Sequence, residues 1–273
     1  MVIKPGTHTL RIRYWVKDVV SGVEGTITKI IPSHTFAKNE YVNMEADLQI
    51  RNYDGDHYYM WDAQQQYWYG YEWTKHLPGN TGQPTLNNNS SPNYPQSNSD
   101  VSRWYHEGGG SSRFDATQGC AGLPNVNEMA WYAAKGEPRW DADELWTTMG
   151  HLYKGGMWFK KKAVLQADNH YNTEKSADNT TDLRTTWKNY NNNSSSINSG
   201  LPSAADANKY FYLPALGYYY SGQLYNVGYT GGCWSSSAHP WGSGFAYGLY
   251  FYSGYVLVGN YYRDYGFRAE ALH

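Results

Sequence analysis

Charge is scarce in this chain. Only 17% of its 273 residues are charged, and the formal net charge at pH 7 is −2. The longest basic run is the three lysines at 160–162, which a short solvated surface explains. Proteins that bind nucleic acid usually present a basic face, so we do not expect a nucleic-acid partner.

Long apolar runs are also missing. No segment approaches the roughly 18 consecutive apolar residues of a membrane-spanning helix, and the mean hydropathy is −0.74. We therefore expect no direct membrane insertion. Met1 is followed at once by strand-like sequence. We interpret the chain as a trimmed mature fragment, for which the lack of a leader says little about export.

Cysteine is rare as well. Cys120 and Cys233 are the only two, too few for a disulfide framework. Unpaired thiols are the favoured interpretation, and a single bond between the two stays open.

The usual metal and catalytic motifs are absent from the sequence. The nine histidines form no His-Glu-x-x-His pair and the cysteines no Cys-x-x-Cys, so a zinc site lacks its usual spacing. Neither 54–56 nor 168–174 fits a calcium loop. We expect no metal, no cofactor and no catalytic residue. A Ser-His-Asp triad stays open, because its members need not be close in the chain.

The first part of the chain carries the pattern of half-buried strands. In residues 8–17 and 42–51, apolar and polar side chains alternate with a period of two. This predicts a small β-sandwich over residues 1–56. Residues 57–103 follow as an aromatic segment and then a polar linker, which has too few apolar residues to fold alone.

Two later segments carry helix signals. Asn125 and Glu128 form a capping-box pattern before an apolar face, and Gly136 ends the run. Asp141 and Glu144 repeat the pattern over residues 141–150. The polar stretch 168–203 then predicts a long surface insertion.

The most informative stretch is 218–265, which holds 12 tyrosines and no lysine. Leu249 and Phe251 alternate with Tyr250 and Tyr252, and residues 255–259 repeat the alternation. One face is therefore aliphatic, and the other carries the Tyr, Ser, Gly and Asn that are typical of antibody paratopes. We expect the second face to be an exposed binding surface. The alternative is that these tyrosines pack in a core or a domain contact.

Four motifs resemble the C-type-lectin fold of formylglycine-generating enzymes. Residues 123–132 resemble its first helix, and residues 211–217, 231–237 and 266–268 resemble its C-terminal half. The likeness covers about residues 115–272 and implies a C-type-lectin-like domain over 104–273. Residues 6–10 and 38–39 resemble, more loosely, the fimbrillin-like surface proteins of Bacteroides.

The predicted fold class follows from these patterns and resemblances. It is α+β, with an N-terminal β-sandwich of the immunoglobulin or fimbrillin type. A C-type-lectin-like fold with two helices and a C-terminal antiparallel sheet comes after it.

Within that fold group, the C-terminal composition is most similar to the variable proteins of diversity-generating retroelements. These resemble adhesin or receptor-binding tips whose codons are rewritten at adenines. Template codons of the AAC or AAT type can yield Tyr, Asn, Ser, Asp, His, Gly, Cys, Thr or Leu, but not Trp, Lys, Glu, Gln or Met. In agreement with this, neither Lys nor Met occurs after Lys209. Trp234, Trp241, Gln223 and Glu270 cannot arise in this way, so they are interpreted as scaffold.

The resemblance and the alternation together give a set of predicted ligand-binding residues. Cys233 is a further candidate diversified position, and Trp241 is included although adenine changes do not produce it. The set is Tyr220, Tyr225, Tyr229, Thr230, Gly232, His239, Trp241, Gly248, Tyr250, Tyr252, Tyr255, Leu257, Gly259, Tyr261, Tyr262, Asp264 and Tyr265.

The function implied is that of an extracellular or cell-surface ligand-binding protein of the adhesin type, and not of an enzyme. Its partner would be an unknown protein or glycan on another cell, or on a phage or host surface. Three alternatives stay open: a carbohydrate-binding module whose Trp and Tyr rings stack on sugars, an oxidase of the formylglycine-generating type, and a structural pilus subunit.

Overall fold

The computed structural model describes residues 2–43, 47–72, 91–105, 114–193 and 196–273. In these residues the chain is mostly sheet with two α-helices, which confirms the predicted α+β class in its coarse form. The helices are α1 (Val126–Lys135) and α2 (Lys162–Ala167). The strands are β1 (Gly6–Lys17), β2 (Glu24–Phe36), β3 (Arg51–Asn52), β4 (Tyr58–Tyr59), β5 (Arg139–Thr148), β6 (His151–Lys160), β7 (Tyr190–Asn193), β8 (Asn198–Ser199), β9 (Tyr210–Pro214), β10 (Tyr218–Tyr220), β11 (Gln223–Tyr225), β12 (Thr230–Ala238), β13 (Phe245–Tyr252), β14 (Tyr255–Tyr262) and β15 (Phe267–Arg268).

The main core lies where two sheets meet α1. The larger sheet has six strands in the order β4-β15-β12-β13-β14-β7, and the smaller has the order β3-β5-β6-β9 with β8 beside β5. Met157 and Phe159 of β6 are fully buried against Leu249 and Phe251 of β13 and the inner face of α1. Burial of apolar surface is therefore the main stabilising contribution in this body.

Helix α1 begins where the sequence predicts. The Asn125 side chain accepts the N–H of Glu128 at 3.0 Å, and the Glu128 carboxylate accepts the N–H of Asn125 at 2.8 Å. This is the capping box in full. Met129 and Ala133 are buried on one face, and Gly136 follows the last turn, so this helix is confirmed.

The second predicted helix, over residues 141–150, is wrong. These residues belong to β5 and to a tight turn at Met149 and Gly150, both of which have positive φ. Asp141 does accept the N–H of Asp143 at 3.0 Å, as a helix cap would. However, the β5–β6 register shifts just after Asp141, so the bond belongs to an irregularity in a strand. An aspartate side chain can accept a nearby backbone N–H either at a helix cap or at an irregularity in a strand. The Trp and Thr residues that follow Asp141 favour a strand.

The N-terminal strands form one hairpin and not a sandwich. Strand β1 pairs antiparallel with β2, and Leu10, Ile12 and Tyr14 on its apolar face are only half-buried. Strand β3 pairs with β5 of the smaller sheet. The β-sandwich predicted over 1–56 is therefore wrong for the residues described there. Alternation shows that one face is covered, but not what covers it.

Residues 42–51 do not form the predicted strand either. Residues 44–46 lie outside the described residues, and 42–43 and 47–50 are not in a strand. Gln49 has a φ of 53°, which interrupts extended backbone immediately before β3.

The aromatic segment after residue 57 belongs to the main body. Strand β4 pairs with β15. The indole N–H of Trp61 donates to the carbonyl of Ser235 at 2.8 Å, and that of Trp234 donates to the carbonyl of Tyr59 at 2.7 Å. Strand pairing thus joins the start of the predicted connection over 57–103 to the predicted domain over 104–273, and the domain boundaries themselves stay a prediction. Residues 73–90 and 106–113, including much of the predicted polar linker, lie outside the described residues.

The polar insertion over 168–203 contributes to the larger sheet, because β7 pairs with the edge of β14. Its loop is held to α1 by Asn127, which is fully buried. The Asn127 amide donates to Asp182 at 2.9 Å and accepts the N–H of Leu183 at 2.9 Å. Residues 194–195 lie outside the described residues.

One carboxylate fastens the tip of the N-terminal hairpin to the main body. Asp18 accepts the N–H of Val20 at 2.7 Å and of Ser21 at 2.9 Å within the turn. It also accepts the N–H of Leu152 at the start of β6 at 2.9 Å and lies 3.2 Å from the His151 ring. Burial alone would raise the pKa of Asp18, but these hydrogen bonds hold it at about 2, below its ordinary value of 3.8.

Replacing Asp18 with Asn should loosen the hairpin tip by an amount on the order of 1–2 kcal/mol at neutral pH. Because the folded pKa is lowered, this contribution is present above pH 3.8 and is lost as the pH falls toward 2. Amide hydrogen exchange of β1 and β2 as a function of pH measures it. The control is Glu24→Gln, whose ion pair with Lys17 is exposed. A difference between wild type and Asp18→Asn that stayed constant down to pH 2 would contradict the assignment.

Candidate binding surface

The two faces of the larger sheet carry different side chains, as the alternation predicts. In the register of β13 and β14, Phe251 lies opposite Val256 and Leu249 opposite Val258, and all four are fully buried against α1 and the smaller sheet. Tyr250 and Tyr252 of β13, with Tyr255 and Tyr261 of β14, point to the other face. The aliphatic face of these strands is therefore the core, and the tyrosine face is the outer one.

The outer face is built on the ring of Phe267, which lies over two glycines. A Cβ at Gly232 of β12 would meet the Phe267 ring at 3.0 Å, and a Cβ at Gly248 of β13 would meet the Cys233 carbonyl at 2.9 Å. The ring is buried and lies 4.7 Å from the Trp234 ring. The missing side chains are what allow an aromatic ring to lie close to this part of the sheet.

A continuous array of tyrosine rings surrounds Phe267. The rings of Tyr218, Tyr261 and Tyr265 lie 5.9, 5.1 and 6.1 Å from it. Further rings extend the array outward from these three. We call it the tyrosine surface; it comprises Tyr218, Tyr220, Tyr225, Tyr250, Tyr252, Tyr255, Tyr261, Tyr262 and Tyr265.

Ring-to-ring packing fixes the orientation of these side chains. Tyr218 stacks on Tyr225 at 5.8 Å and on Tyr265 at 5.5 Å, with interplanar angles of 26° and 15°. Tyr252 contacts Tyr250 at 6.5 Å and lies 5.6 Å from Tyr255. The rings are therefore held by one another, with one side of the array open to solvent.

Exposure grades from the edge of the tyrosine surface to its centre. Tyr220, Tyr252 and Tyr262 are exposed by 43%, 41% and 54%, and the other six are half-buried. Tyr261 lies deepest, since its hydroxyl is buried and has no hydrogen-bond partner among the described residues. The predicted outward direction is thus found for Tyr252. Tyr262 is exposed at the end of β14 but has the strand parity of Val256 and Val258, and Tyr261 belongs to the floor.

The tyrosine surface is polar but carries little charge. Burial raises the pKa of the Tyr218, Tyr250 and Tyr265 hydroxyls above the ordinary value of 10, so these phenols stay neutral at physiological pH. The Tyr225 hydroxyl donates to Gln223 at 3.0 Å. Asp264 beside the array is half-buried, and burial raises the pKa of its carboxyl.

A buried arginine fixes the loop that carries Asp264 and Tyr265. Arg263 is fully buried, with its guanidinium 4.7 Å from the Trp61 ring and 5.0 Å from the Phe114 ring. Its Nε donates to the carbonyl of Phe245 at 3.0 Å, and its own carbonyl accepts the N–H of Trp61 at 2.8 Å. Burial lowers the pKa of Arg263 to about 10, so it remains charged at neutral pH.

Several predicted binding residues are buried and do not contact solvent as the sequence suggested. Gly232 and Gly248 lie beneath Phe267 and Tyr261, and Gly259 is covered by the side chain of Leu257. The prediction is corrected for these positions, because a glycine in an alternating strand does not reveal whether a neighbouring ring covers it. The buried members of the predicted set are Thr230, Gly232, His239, Gly248 and Gly259.

Two predicted residues are exposed but stand apart from the tyrosine surface. Tyr229 is 75% exposed and lines a cavity of about 380 Å³ beside Ser21 and Val23 of the hairpin turn. Trp241 lies near Trp187, a residue that the sequence analysis did not single out. Tyr218 was also missed, although the run 218–220 was visible. Its middle member, Tyr219, is buried and stacks on Tyr67.

A cavity of about 580 Å³ lies on the smaller sheet, away from the tyrosine surface. Trp158 and Tyr212 line it together with Arg51, Glu144 and Arg268. Arg268 is already paired with Asp56 at 2.7 Å. None of the predicted binding residues lines this cavity.

Both cysteines are buried free thiols. Burial raises the pKa of Cys233 to about 12 and raises the pKa of Cys120 as well. Cys233 lies in the core against α1, and Cys120 packs beside Trp61 and Trp234. A nucleophilic cysteine needs the opposite shift, toward a lower pKa.

Neither a family model, nor a curated protein, nor a solved structure matches the chain. In the described part of the chain, no three His, Cys, Asp or Glu side chains are grouped to hold a metal ion. Neither described helix has the length and apolar character needed to cross a membrane.

Alanine at Gly232 should destabilise the protein by about 1–3 kcal/mol, because its Cβ would press on the Phe267 ring in a packed site. Gly244→Ala is the matched control, since nothing lies within 4 Å of that Cβ position. Urea denaturation of both variants measures the difference. Equal midpoints would show that Phe267 does not depend on the glycine at 232.

Proposed function

We propose that the chain is an extracellular ligand-binding protein of the adhesin type, which recognises a protein or glycan on another surface through the tyrosine surface. The observation that carries this proposal is the continuous array of partly exposed tyrosines, which the outer face of the larger sheet and the separate β10–β11 hairpin supply together. Cell surfaces, phage particles and host surfaces are the places where such a partner would be found.

The chemistry of the array supports recognition. A tyrosine offers a rigid apolar ring and a hydroxyl that donates and accepts hydrogen bonds, and it loses little conformational entropy on binding. Here the rings of Tyr218, Tyr225 and Tyr265 are already stacked. Part of the ordering cost is therefore met before a ligand arrives.

The division between faces supports a diversified surface. The side chains of Tyr250, Tyr252 and Tyr255 lie on the outer face, while Leu249 and Val258 hold the same two strands from the other side. Substitution at the outer positions should therefore leave the fold intact. This is the property that a C-type-lectin-like scaffold with codons rewritten at adenines would need. The finer assignment of a C-type-lectin-like fold to the main body belongs to this proposal.

Recognition is preferred to catalysis for a chemical reason. The oxidase alternative needs a reactive pair of cysteines, whereas burial raises the pKa of both Cys120 and Cys233. A thiol that stays protonated is a poor nucleophile.

The binding test uses the double variant Tyr220→Ala with Tyr252→Ala. We expect it to weaken adhesion of the purified protein to bacterial cells and glycan arrays at least tenfold, because truncating exposed aromatic anchors costs about 1–2 kcal/mol or more each. Flow cytometry and array fluorescence measure the adhesion.

The control is Tyr41→Ala, which removes an exposed tyrosine far along the chain from the tyrosine surface. Both variants should keep the wild-type melting temperature. Unchanged adhesion in the double variant, on every surface that the wild type binds, would contradict the proposed function.

The gene itself provides a second test. A near-copy of its last part, next to a reverse transcriptase gene, should differ from the coding sequence mainly at adenines. The differences should fall in codons of outer residues such as Tyr252 and Tyr255, and the codons of Trp234 and Phe267 should be identical in both copies. Sequencing of the locus decides this. Differences spread evenly over core and outer codons would exclude adenine-directed diversification.

A further inference from the structure

Two exposed tryptophans lie together at the end of the larger sheet. Trp187 is 44% exposed and Trp241 is 61% exposed, and their ring centroids are 6.2 Å apart with 43° between the planes. Exposing a tryptophan ring to water is unfavourable in free energy, because the ring has a large apolar area. We call this pair, with His239 and Asn260 beside it, the tryptophan patch.

The tryptophan patch contains a buried polar atom that lacks a partner. His239 is only 7% exposed. Its Nδ1 accepts the backbone N–H of Trp241 at 3.2 Å, but its Nε2 is buried and has no hydrogen-bond partner among the described residues. The neighbours of the ring are aromatic: Trp187 at 6.5 Å, Phe245 at 6.2 Å and Tyr247 at 5.4 Å.

The hydrogen bond at Nδ1 of His239 shows which ring nitrogen carries the proton. A ring nitrogen that accepts a hydrogen bond carries no proton, so in the neutral imidazole the proton lies on Nε2. Burial lowers the pKa of His239, and the nearby Arg263 lowers it further, so the ring is neutral at physiological pH. Nε2 is therefore an N–H donor that needs an acceptor, and leaving it unmet is unfavourable.

The surroundings hold Trp187 in place without adding net charge. Its indole N–H donates to the side-chain oxygen of Asn260 at 3.4 Å. The neighbouring Lys188 is neutralised by Asp178 at 2.8 Å. The loop before Trp187 is fastened to α1 through Asn127. A ligand here would meet apolar rings, one amide and one unmet donor, and no free charge among these groups.

We propose that the tryptophan patch is a subsite for a neutral sugar ring of the pyranose class. One face of a pyranose is a set of C–H groups that packs against an indole, and its hydroxyls accept the hydrogen bonds that unmet donors need. Nε2 of His239 is covered by the surrounding rings, so a sugar hydroxyl reaches it when an exposed indole turns aside. Binding should therefore change the tryptophan fluorescence.

The tryptophan patch is separate from the tyrosine surface, although the two adjoin through the contact between the Phe245 and Tyr262 rings, whose centroids are 4.5 Å apart. The proposal does not need the tyrosine surface to bind anything. Its failure can therefore be told apart from failure of the proposed function.

The test is a fluorescence titration of the whole chain with cellohexaose, maltohexaose and mannohexaose, each up to about 10 mM, above the millimolar range of weak subsites. We expect at least one to give a saturable change. Its apparent Kd should weaken at least tenfold in Trp187→Ala and in Trp241→Ala. It should stay unchanged in Trp15→Ala, a matched tryptophan that is 64% exposed on the N-terminal hairpin.

His239→Phe separates a binding role from a structural one. Phenylalanine keeps an aromatic ring and removes both the unmet Nε2 donor and the Nδ1 acceptor of the Trp241 N–H. Because Trp241 is exposed, water can replace that acceptor. We therefore expect weaker sugar binding, by about fivefold, with a melting temperature close to that of the wild type. A fall in melting temperature with unchanged affinity would make His239 a structural residue and would overturn its part of the proposal.

Three further results overturn the sugar assignment. They are the absence of a saturable signal with all three oligosaccharides, equal weakening in Trp15→Ala, and loss of sugar binding in the Tyr220→Ala, Tyr252→Ala double variant alone. If the tryptophan variants weaken only adhesion to a protein, the tryptophan patch is a protein contact.

Discussion

The contact between the Phe267 ring and the glycines of β12 and β13 is the constraint on which the outer face depends. The ring fills the space left by Gly232 and Gly248, and the rings of Tyr218, Tyr261 and Tyr265 pack against it. Strand β15, which carries Phe267, also pairs with β4 and β12. One short strand thus joins the aromatic segment after residue 57 to the tyrosine surface. The surface is consequently supported by the core without being part of it.

Local patterns in the sequence predicted the elements whose partners are close in the chain. The capping box at Asn125 and the alternation over β13 and β14 are set by neighbouring residues, and both were confirmed. The segment after Asp141 carried the same local chemistry and was assigned wrongly, because pairing with β6 decided its structure. The N-terminal sandwich was wrong for a related reason. A strand pattern in β1 shows a covered face, but it does not reveal that β2 is the only strand paired with β1 among the described residues.

The same distinction applies to the tyrosine surface and the tryptophan patch. Alternation gave the outward direction of Tyr250, Tyr252 and Tyr255 correctly. It could not reveal that Phe267 covers Gly232, nor that a loop fastened to α1 brings Trp187 beside Trp241. These are contacts between residues far apart in the chain, and no period in the sequence encodes them.

The proposed function requires that the outer side chains of the tyrosine surface determine binding, while the buried face of the sheet determines folding. The most direct measurement randomises Tyr220, Tyr225, Tyr250, Tyr252 and Tyr255 together in a displayed library and selects for binding to a protein that the wild type does not recognise. Most members should fold with near wild-type melting temperatures, and selected members should bind the new target. A library whose members mostly unfold, or a folded library that yields no binder, would contradict the proposed function.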